Sequence, residues 1–393
     1  MKNLLSKRMI ALFLVVMITG GVLAGCGNNN STDETETTSE TTSGTTTDTI
    51  DPEAVAAVIG DSDIPASEVF YILYNLQATY EMYGITDWEA EYSDGQTYAD
   101  MLKGEVENSV LQINYLYSLA KAYDVELTDE QKETIETDIT SFMDYIGDTV
   151  KERYGFTEDN IREIYTKSYM GSNGYEAAIA EIVAEQSDDV IEENKYRTIQ
   201  HILISTSQET TETDESGETV EAETVDAEAY KAEKLTLAEE VLARAQAGED
   251  FTTLAEEYNE DSGSEYSLNA AGTDVSGTSF VTEFVEAANA LGDDEISAIV
   301  ETEYGFHIIK CITTFDEEVS MTARESVAGN ELYTRYETWL EETEYEFKEI
   351  WTHYVVTTVA EEETTEETTD TTEETTVDTT AETETTADTA ESE

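Results

Sequence analysis

The sequence predicts an α+β chain in which a compact domain of antiparallel strands and helices, residues 198–316, interrupts a mostly helical one, with low-complexity segments at both ends. Three observations carry this expectation. From 52 to 197 apolar residues recur at helical spacing after one short strand. At Tyr196 the texture changes, and strand and helix signals interleave for about 115 residues. Between Cys26 and Ile50 and after residue 360 the chain is polar and holds almost nothing apolar to bury.

Residues 54–60, Ala-Val-Ala-Ala-Val-Ile-Gly, read as a short strand stopped by a glycine, with a turn over 61–65. A helix begins at Ser67, with Val69, Phe70, Leu73, Leu76, Tyr80 and Tyr83 on one stripe. A second carries Val106, Val110, Ile113, Leu116, Tyr117 and Ala120. Thr128 and Gln131 have the spacing of a capping box and open a helix over 129–146; another fits 158–170. Many of the 23 tyrosines fall on these stripes, as core packing or as an aromatic groove. Helical pattern returns over 319–348, with Leu332, Tyr336, Trp339 and Leu340 together, and a β-rich end follows at 351–359. This last piece, 317–360, is too small to fold alone and is expected to pack on the helices of 52–197.

The middle domain opens with Thr198-Ile199-Gln200-His201-Ile202-Leu203-Ile204-Ser205, a strand that puts Ile199, His201 and Leu203 on one face. The acidic, Thr-rich stretch 206–226 lacks apolar periodicity and reads as a loop. A helix then carries Leu235, Ala238, Val241, Leu242 and Ala245 and ends before Gly248. Phe251, Leu254, Ala255 and Tyr258 mark a short second helix, and 282–291 a third, with Phe284, Ala287, Ala288 and Leu291 inward. Strands over 296–300 and 306–313 complete a βαααββ order.

The N-terminus has Lys2, Lys7 and Arg8, then an apolar run over 9–23 that is short for a bilayer span, then Leu23-Ala24-Gly25-Cys26. That tetrapeptide resembles the lipobox of bacterial lipoproteins, which implies a signal peptide over 1–25 and a lipid on Cys26. Residues 26–51 are then a disordered tether, and 361–393 a disordered acidic tail of Thr, Glu, Asp and Ala. Against 19 Lys and Arg stand 90 Asp and Glu, a formal charge of −71, which excludes nucleic acid as a partner. It equally excludes a basic hold on anionic lipid, so the membrane link must be covalent. With Cys26 lipidated no intramolecular disulfide can form, and Cys311 reads as a small buried hydrophobe. His201, His307 and His353 lie in no metal-ligand spacing, so neither metal nor cofactor is called for. Carboxylate-only Ca²⁺ binding stays open in so acidic a chain, although no EF-hand loop is present.

Four blocks carry a family resemblance. His201-Ile202-Leu203-Ile204, then Gly248-Glu249-Asp250-Phe251-Thr252-Thr253-Leu254-Ala255-Glu256-Glu257-Tyr258, then 284–291, then Thr302-Glu303-Tyr304-Gly305-Phe306-His307-Ile308-Ile309-Lys310, in this order and spacing, resemble the parvulin-type peptidyl-prolyl isomerases. With the lipobox in front and helical segments on both sides, the chain resembles the PrsA-type foldase lipoproteins, whose architecture is SurA-like. The resemblance implies a helical chaperone domain built from 52–197 and 317–360. It implies His201, Asp261 and His307 as catalytic residues and Phe280, Phe284 and Thr302 as the substrate pocket. One departure stands out: the family's Gly-Gly-Asp-Leu-Gly-like turn is Leu268-Asn269-Ala270-Ala271-Gly272-Thr273-Asp274 here, which displaces an apolar pocket residue. The place implied is the outer face of a bacterial, Gram-positive cell membrane, and the partners are unfolded secreted proteins with X-Pro bonds; a homodimer is compatible with a helical cradle. Glu209, Glu212, Asp214, Glu215 and Glu218 would repel phosphate in the loop where some parvulins read it. Two other readings share parts of this pattern, a chaperone with a weak isomerase domain and a solute-binding or adhesin lipoprotein. The second of these would show repeated βα units.

Overall fold

The computed structural model describes residues 49–93, 95–208, 211–213, 219–221 and 226–358. Cys26, the tether, the acidic tail and the side chains of Glu209, Glu212, Asp214, Glu215 and Glu218 lie outside them. Among the described residues no helix is long and apolar enough to cross a membrane.

Strand β1 (Val55–Ile59) turns through Gly60, at φ +55, into β2 (Ser62–Pro65). Residues 61–65, expected as a turn, therefore form mostly a second strand, with Ile59 facing Ser62 in the pairing. Helix α1 (Ala66–Met82) follows directly and α2 (Tyr98–Ala122) runs against it, joined through a small hairpin of β3 (Glu91–Ser93) and β4 (Gln96–Thr97) that the sequence pattern did not reveal. The capping box expected at Thr128 is present at the start of α3 (Asp129–Tyr145). Gln131 N–H donates to Thr128 Oγ1 at 3.1 Å, and Thr128 N–H to Gln131 Oε1 at 3.0 Å. A short α4 (Asp148–Tyr154), not expected from the sequence, leads into α5 (Glu158–Glu185).

Helix α5 is 28 residues long and runs well past residue 170, where the pattern predicted its end. The run Met170-Gly171-Ser172-Asn173-Gly174 resembles a stop signal but is a crossing point. A Cβ on Gly174 would lie 2.4 Å from Ala120 N and 2.8 Å from Leu116 O, so α2 and α5 touch backbone to backbone there. From α5 Lys167 Nζ also reaches Glu68 of α1, 2.7 Å from each carboxylate oxygen, and Asn114 of α2 donates to the same carboxylate at 3.2 Å. Such a pair has given up its hydration, so removing one partner strands the other charge.

After a short α6 (Asp188–Glu193), a four-stranded antiparallel sheet runs in the order β8 (Glu265–Asn269), β5 (Tyr196–Ser205), β10 (Gly305–Asp316), β9 (Val300–Glu301). On one face Ile202, Ile204, Phe306 and Ile308 meet α7 (Ala227–Gln246) and α8 (Phe251–Tyr258); on the other Ile199, Leu268, Ile309 and Cys311 meet α9 (Thr282–Ala290). Three expectations are corrected. Strand β8 was missed because of its five residues only Leu268 is buried. The strand expected over 296–300 reduces to a bridge from Ile296 to Lys310 and the two residues of β9. Within the loop 206–226 the backbone forms a hairpin of β6 (Thr211–Thr213) and β7 (Thr219–Glu221).

Helix α10 (Glu317–Glu342) returns to the helical part, where Leu332 and Tyr336 pack with Tyr115, Leu116 and Ile179. Strand β11 (Tyr345–Phe347) then pairs with β1, Ala57 facing Phe347. The β-rich end predicted at 351–359 is not there: Trp351 belongs to a short helix, α11 (Glu349–Thr352), and 353–358 is irregular. The reason is burial. Trp351 is fully enclosed, edge-on to Phe70 at 5.8 Å, with its indole N–H donating to Glu107 Oε1 at 2.8 Å. Seating that ring turns the chain out of the sheet.

Replacing Gly174 with Ala should push α2 and α5 apart and destabilise the protein by about 1–3 kcal/mol. Urea unfolding will test this against Gly84→Ala, which strains a positive φ but meets nothing within 4 Å; equal or smaller loss at Gly174 would refute the backbone contact.

Candidate active site

The register of β5 with β10 pairs Ile309 with His201 and Leu203 with His307. Both histidines therefore point to the α9 face, offset diagonally by one pair. Their Nδ1 atoms lie 3.3 Å apart and their rings are nearly parallel, at 15°. His201 is 2% exposed and His307 5%. Phe284 of α9 stands edge-on to both rings, at 5.3 Å from each, and Phe280 stacks on Phe284 at 5.4 Å.

The acceptors around the pair fix its tautomers. His201 Nε2 faces two acceptors, the Gly263 carbonyl at 3.1 Å and Asp261 Oδ2 at 3.2 Å, so it carries a proton. At the other end Thr302 Oγ1 accepts the Tyr304 N–H at 3.1 Å and lies 2.8 Å from His307 Nε2. Because two bare Nδ1 atoms 3.3 Å apart would repel, the His307 proton sits on Nδ1, and its Nε2 accepts the Thr302 O–H. His307 gives that proton to the bare Nδ1 of His201. The chain Thr302 to His307 to His201 to Gly263 is satisfied with both rings neutral. Electrostatics agree with that assignment. Burial pushes His307 down to about 4, with His201 adding to the effect and Asp261 opposing it. Burial also lowers His201, against the pull of Gly263 and Asp261.

Asp261 lies in the loop between α8 and β8, where its Oδ1 accepts the Ser262 N–H at 2.7 Å and its Oδ2 the Tyr266 hydroxyl at 3.3 Å. About a third of its side chain meets solvent. All six residues expected at the site, His201, Asp261, His307, Phe280, Phe284 and Thr302, thus come together, while Cys26 lies outside the described residues. His353 is exposed at the end of α11 and takes no part.

Sequence reasoning missed Tyr266, Gly263 and Asn259. Tyr266 packs edge-on to His201 at 5.4 Å and to Phe280 at 5.1 Å, walling the pocket on the β8 side; burial, then the Asp261 carboxylate, raises its hydroxyl above the ordinary tyrosine range. Had 265–269 been read as a strand, its alternation would have exposed this residue. The departing turn still contains a glycine under constraint. Gly272 has φ +78 with Val285 side-chain atoms 2.2 Å from where a Cβ would be, and its carbonyl accepts the Phe280 N–H at 2.9 Å. That bond sets where Phe280 enters the pocket.

Residues 201–313 match the family described as Rotamase, the PPIC-type PPIase domain. This chain carries a parvulin-type isomerase domain. Over a longer stretch it is 30% identical across 236 residues to "Foldase protein PrsA" of Halalkalibacterium halodurans, covering 56% of this chain and 61% of that one. With "Foldase protein PrsA" of Caldanaerobacter subterraneus subsp. tengcongensis it shares 27% identity over 320 residues, 79% of this chain and 86% of that one. "Chaperone SurA" of Pseudomonas savastanoi pv. phaseolicola is 36% identical over 110 residues, 26% of this chain and 25% of that one. The chain is thus similar to PrsA foldases, and its own parvulin domain lies between helical segments.

The neutral histidine pair gives a pH dependence of stability. An unfolded histidine takes up its proton near 6.5, whereas the folded His307 does so only near 4. The pair's contribution is therefore complete above about pH 6.5 and is lost as pH falls toward 4, with a ceiling of roughly 3 kcal/mol from His307. Urea midpoints at pH 7 and pH 4.5 should fall further for the wild type than for His307→Gln, the carboxylate titrations being common to both; parallel losses would contradict a buried neutral His307.

Proposed function

We propose that the protein is a foldase held at the outer face of the membrane by a lipid on Cys26. Its parvulin domain, 198–316, would isomerise X-Pro bonds, and its helical part, 52–197 with 317–360, would hold the client. The observation that carries the catalytic part is the buried neutral pair His201 and His307 beneath Phe280 and Phe284.

Prolyl isomerisation breaks no bond. The obstacle is the partial double-bond character of the amide, roughly 18–20 kcal/mol, and uncatalysed exchange takes tens to hundreds of seconds. A site need only bind the twisted amide better than the planar one. In our assignment Phe280, Phe284 and Tyr266 seat the proline ring, so rotation is confined to the peptide on its N-terminal side. The hydrogen-bonded histidines form a floor whose donors and acceptors are already used, which gives a rigid, uncharged surface rather than a nucleophile. Thr302 holds His307 in place, and Asp261 offers a carboxylate beside the pair, where it can favour the altered charge distribution of the twisted amide. No step transfers a group, and no cofactor enters.

A proline-limited refolding assay distinguishes this from a chaperone whose parvulin domain is silent, the reading favoured by the altered turn at 268–274. His307→Ala and Asp261→Ala should each slow the catalysed phase about tenfold or more, about 1.4 kcal/mol of transition-state stabilisation per tenfold. Equal acceleration by all three proteins would leave only holding.

Substrate choice follows from charge. With Glu301 and Glu303 flanking Thr302, Glu260 beside Asp261, and the acidic 208–226 loop in the chain, a phosphate before proline meets like charge. Peptides with Lys or Arg before proline should be turned over faster than their phosphoserine counterparts, and the gap should shrink in high salt; faster turnover of phosphopeptides would reverse the assignment.

A further inference from the structure

One side chain links both histidines without touching either. Strand β8 pairs with β5 only as far as Gln200, and Ser264 O accepts the His201 N–H at 2.8 Å. Beyond that point the free edge of β5 at Leu203 has no strand partner. Asn259 takes that place. Its Oδ1 accepts the Leu203 N–H at 2.9 Å and the Asp261 N–H at 3.3 Å, while its Nδ2 donates to Gly263 O at 3.0 Å and Asp261 O at 3.2 Å. Glu260 N–H closes the same contact on Leu203 O at 2.9 Å. One amide orientation satisfies all four bonds; the flipped one would set NH₂ against two N–H groups and oxygen against two carbonyls.

The positions of those partners matter. Leu203 is the residue of β5 that faces His307, and Gly263 supplies the carbonyl that receives the His201 Nε2 proton. We infer that Asn259 is a positioning residue of the isomerase site, clipping the Asp261–Gly263 loop to β5 and so fixing the tautomers of His201 and His307. Through its two N–H acceptor bonds it pins the strand and the loop backbone at Asp261. Through its two donor bonds it aims the Gly263 carbonyl. An asparagine is suited to this because it alone, at this length, offers two acceptor and two donor positions from one planar group. A serine has one donor and no planar fork.

The activity arm of the test rests on the isomerase reading, and the spectroscopic arm does not. Asn259→Asp keeps the shape and both acceptor bonds but turns the two donor bonds into contacts between a carboxylate oxygen and carbonyl oxygens. With three histidines in the chain, ¹⁵N spectra of the imidazoles read the tautomers directly. We expect the wild type to show Nε2–H at His201 and Nδ1–H at His307 throughout pH 6–8. In Asn259→Asp the His201 and His307 signals should shift toward mixed tautomers, with His201 titrating nearer neutrality, since Asp261, Tyr266, His307 and the new carboxylate then face it. Turnover should fall about tenfold in kcat with KM within about twofold. Asn259→Ser keeps an acceptor but loses the fork, and should move the same signals by less; it stands in if the aspartate variant does not fold. Wild-type imidazole spectra in a folded variant, or a change confined to KM, would overturn the assignment. A wild type without turnover but with variant-sensitive tautomers would refute the isomerase reading and leave the positioning role intact.

Discussion

The pairing of β5 with β10 is the constraint on which the site depends. Because Leu203, and not His201, faces His307, the two rings meet diagonally at Nδ1 and share the α9 face. Side chains alternate at a period of two, so a slip of one residue would send one ring to the opposite face, among Ile202, Ile204 and Phe306. Burial on that shared face does the rest. It makes a charged imidazole costly, and the hydrogen-bond chain from Thr302 to Gly263 then needs only neutral rings.

The helical part answers to a different constraint, close backbone approach. Gly174 lets α5 meet α2 where any side chain would collide, and the Glu68–Lys167 pair ties α1 to α5. The parvulin domain is joined to it by backbone and by hydrogen bonds at the seam, such as Tyr196 N–H to Ser320 Oγ at 2.9 Å.

Much of this was legible in the sequence where a residue type had one job. The alternation around His201 gave its strand and its face, and Phe306 to Thr313 read as a strand that holds His307, whereas the site roles of His201, His307 and Thr302 came from the family resemblance. Thr128 with Gln131 announced a helix start for a similar reason, since the bonds are local. The failures share a cause as well. Gly171 and Gly174 look like a stop unless one knows that α2 lies against them, and Trp351 looks like a strand residue unless one knows that Phe70 awaits it. Strand β8 and Asn259 were hidden because edge strands and polar clips carry no apolar period. Each miss was a tertiary contact overriding a local preference.

The sheet of β2, β1 and β11 has a consequence for the order of assembly. Its middle strand is the first described strand of the chain and its outer strand, β11, the last, with the parvulin domain threaded between them. Contacts of such long separation form late, because the loop they close must first be gathered. The parvulin sheet is built from residues 196–316 alone. A polypeptide emerging N-terminus first would thus hold a complete isomerase domain while its helical part still waits for β11 and Trp351. The last described elements to appear are the clasp that shuts the first.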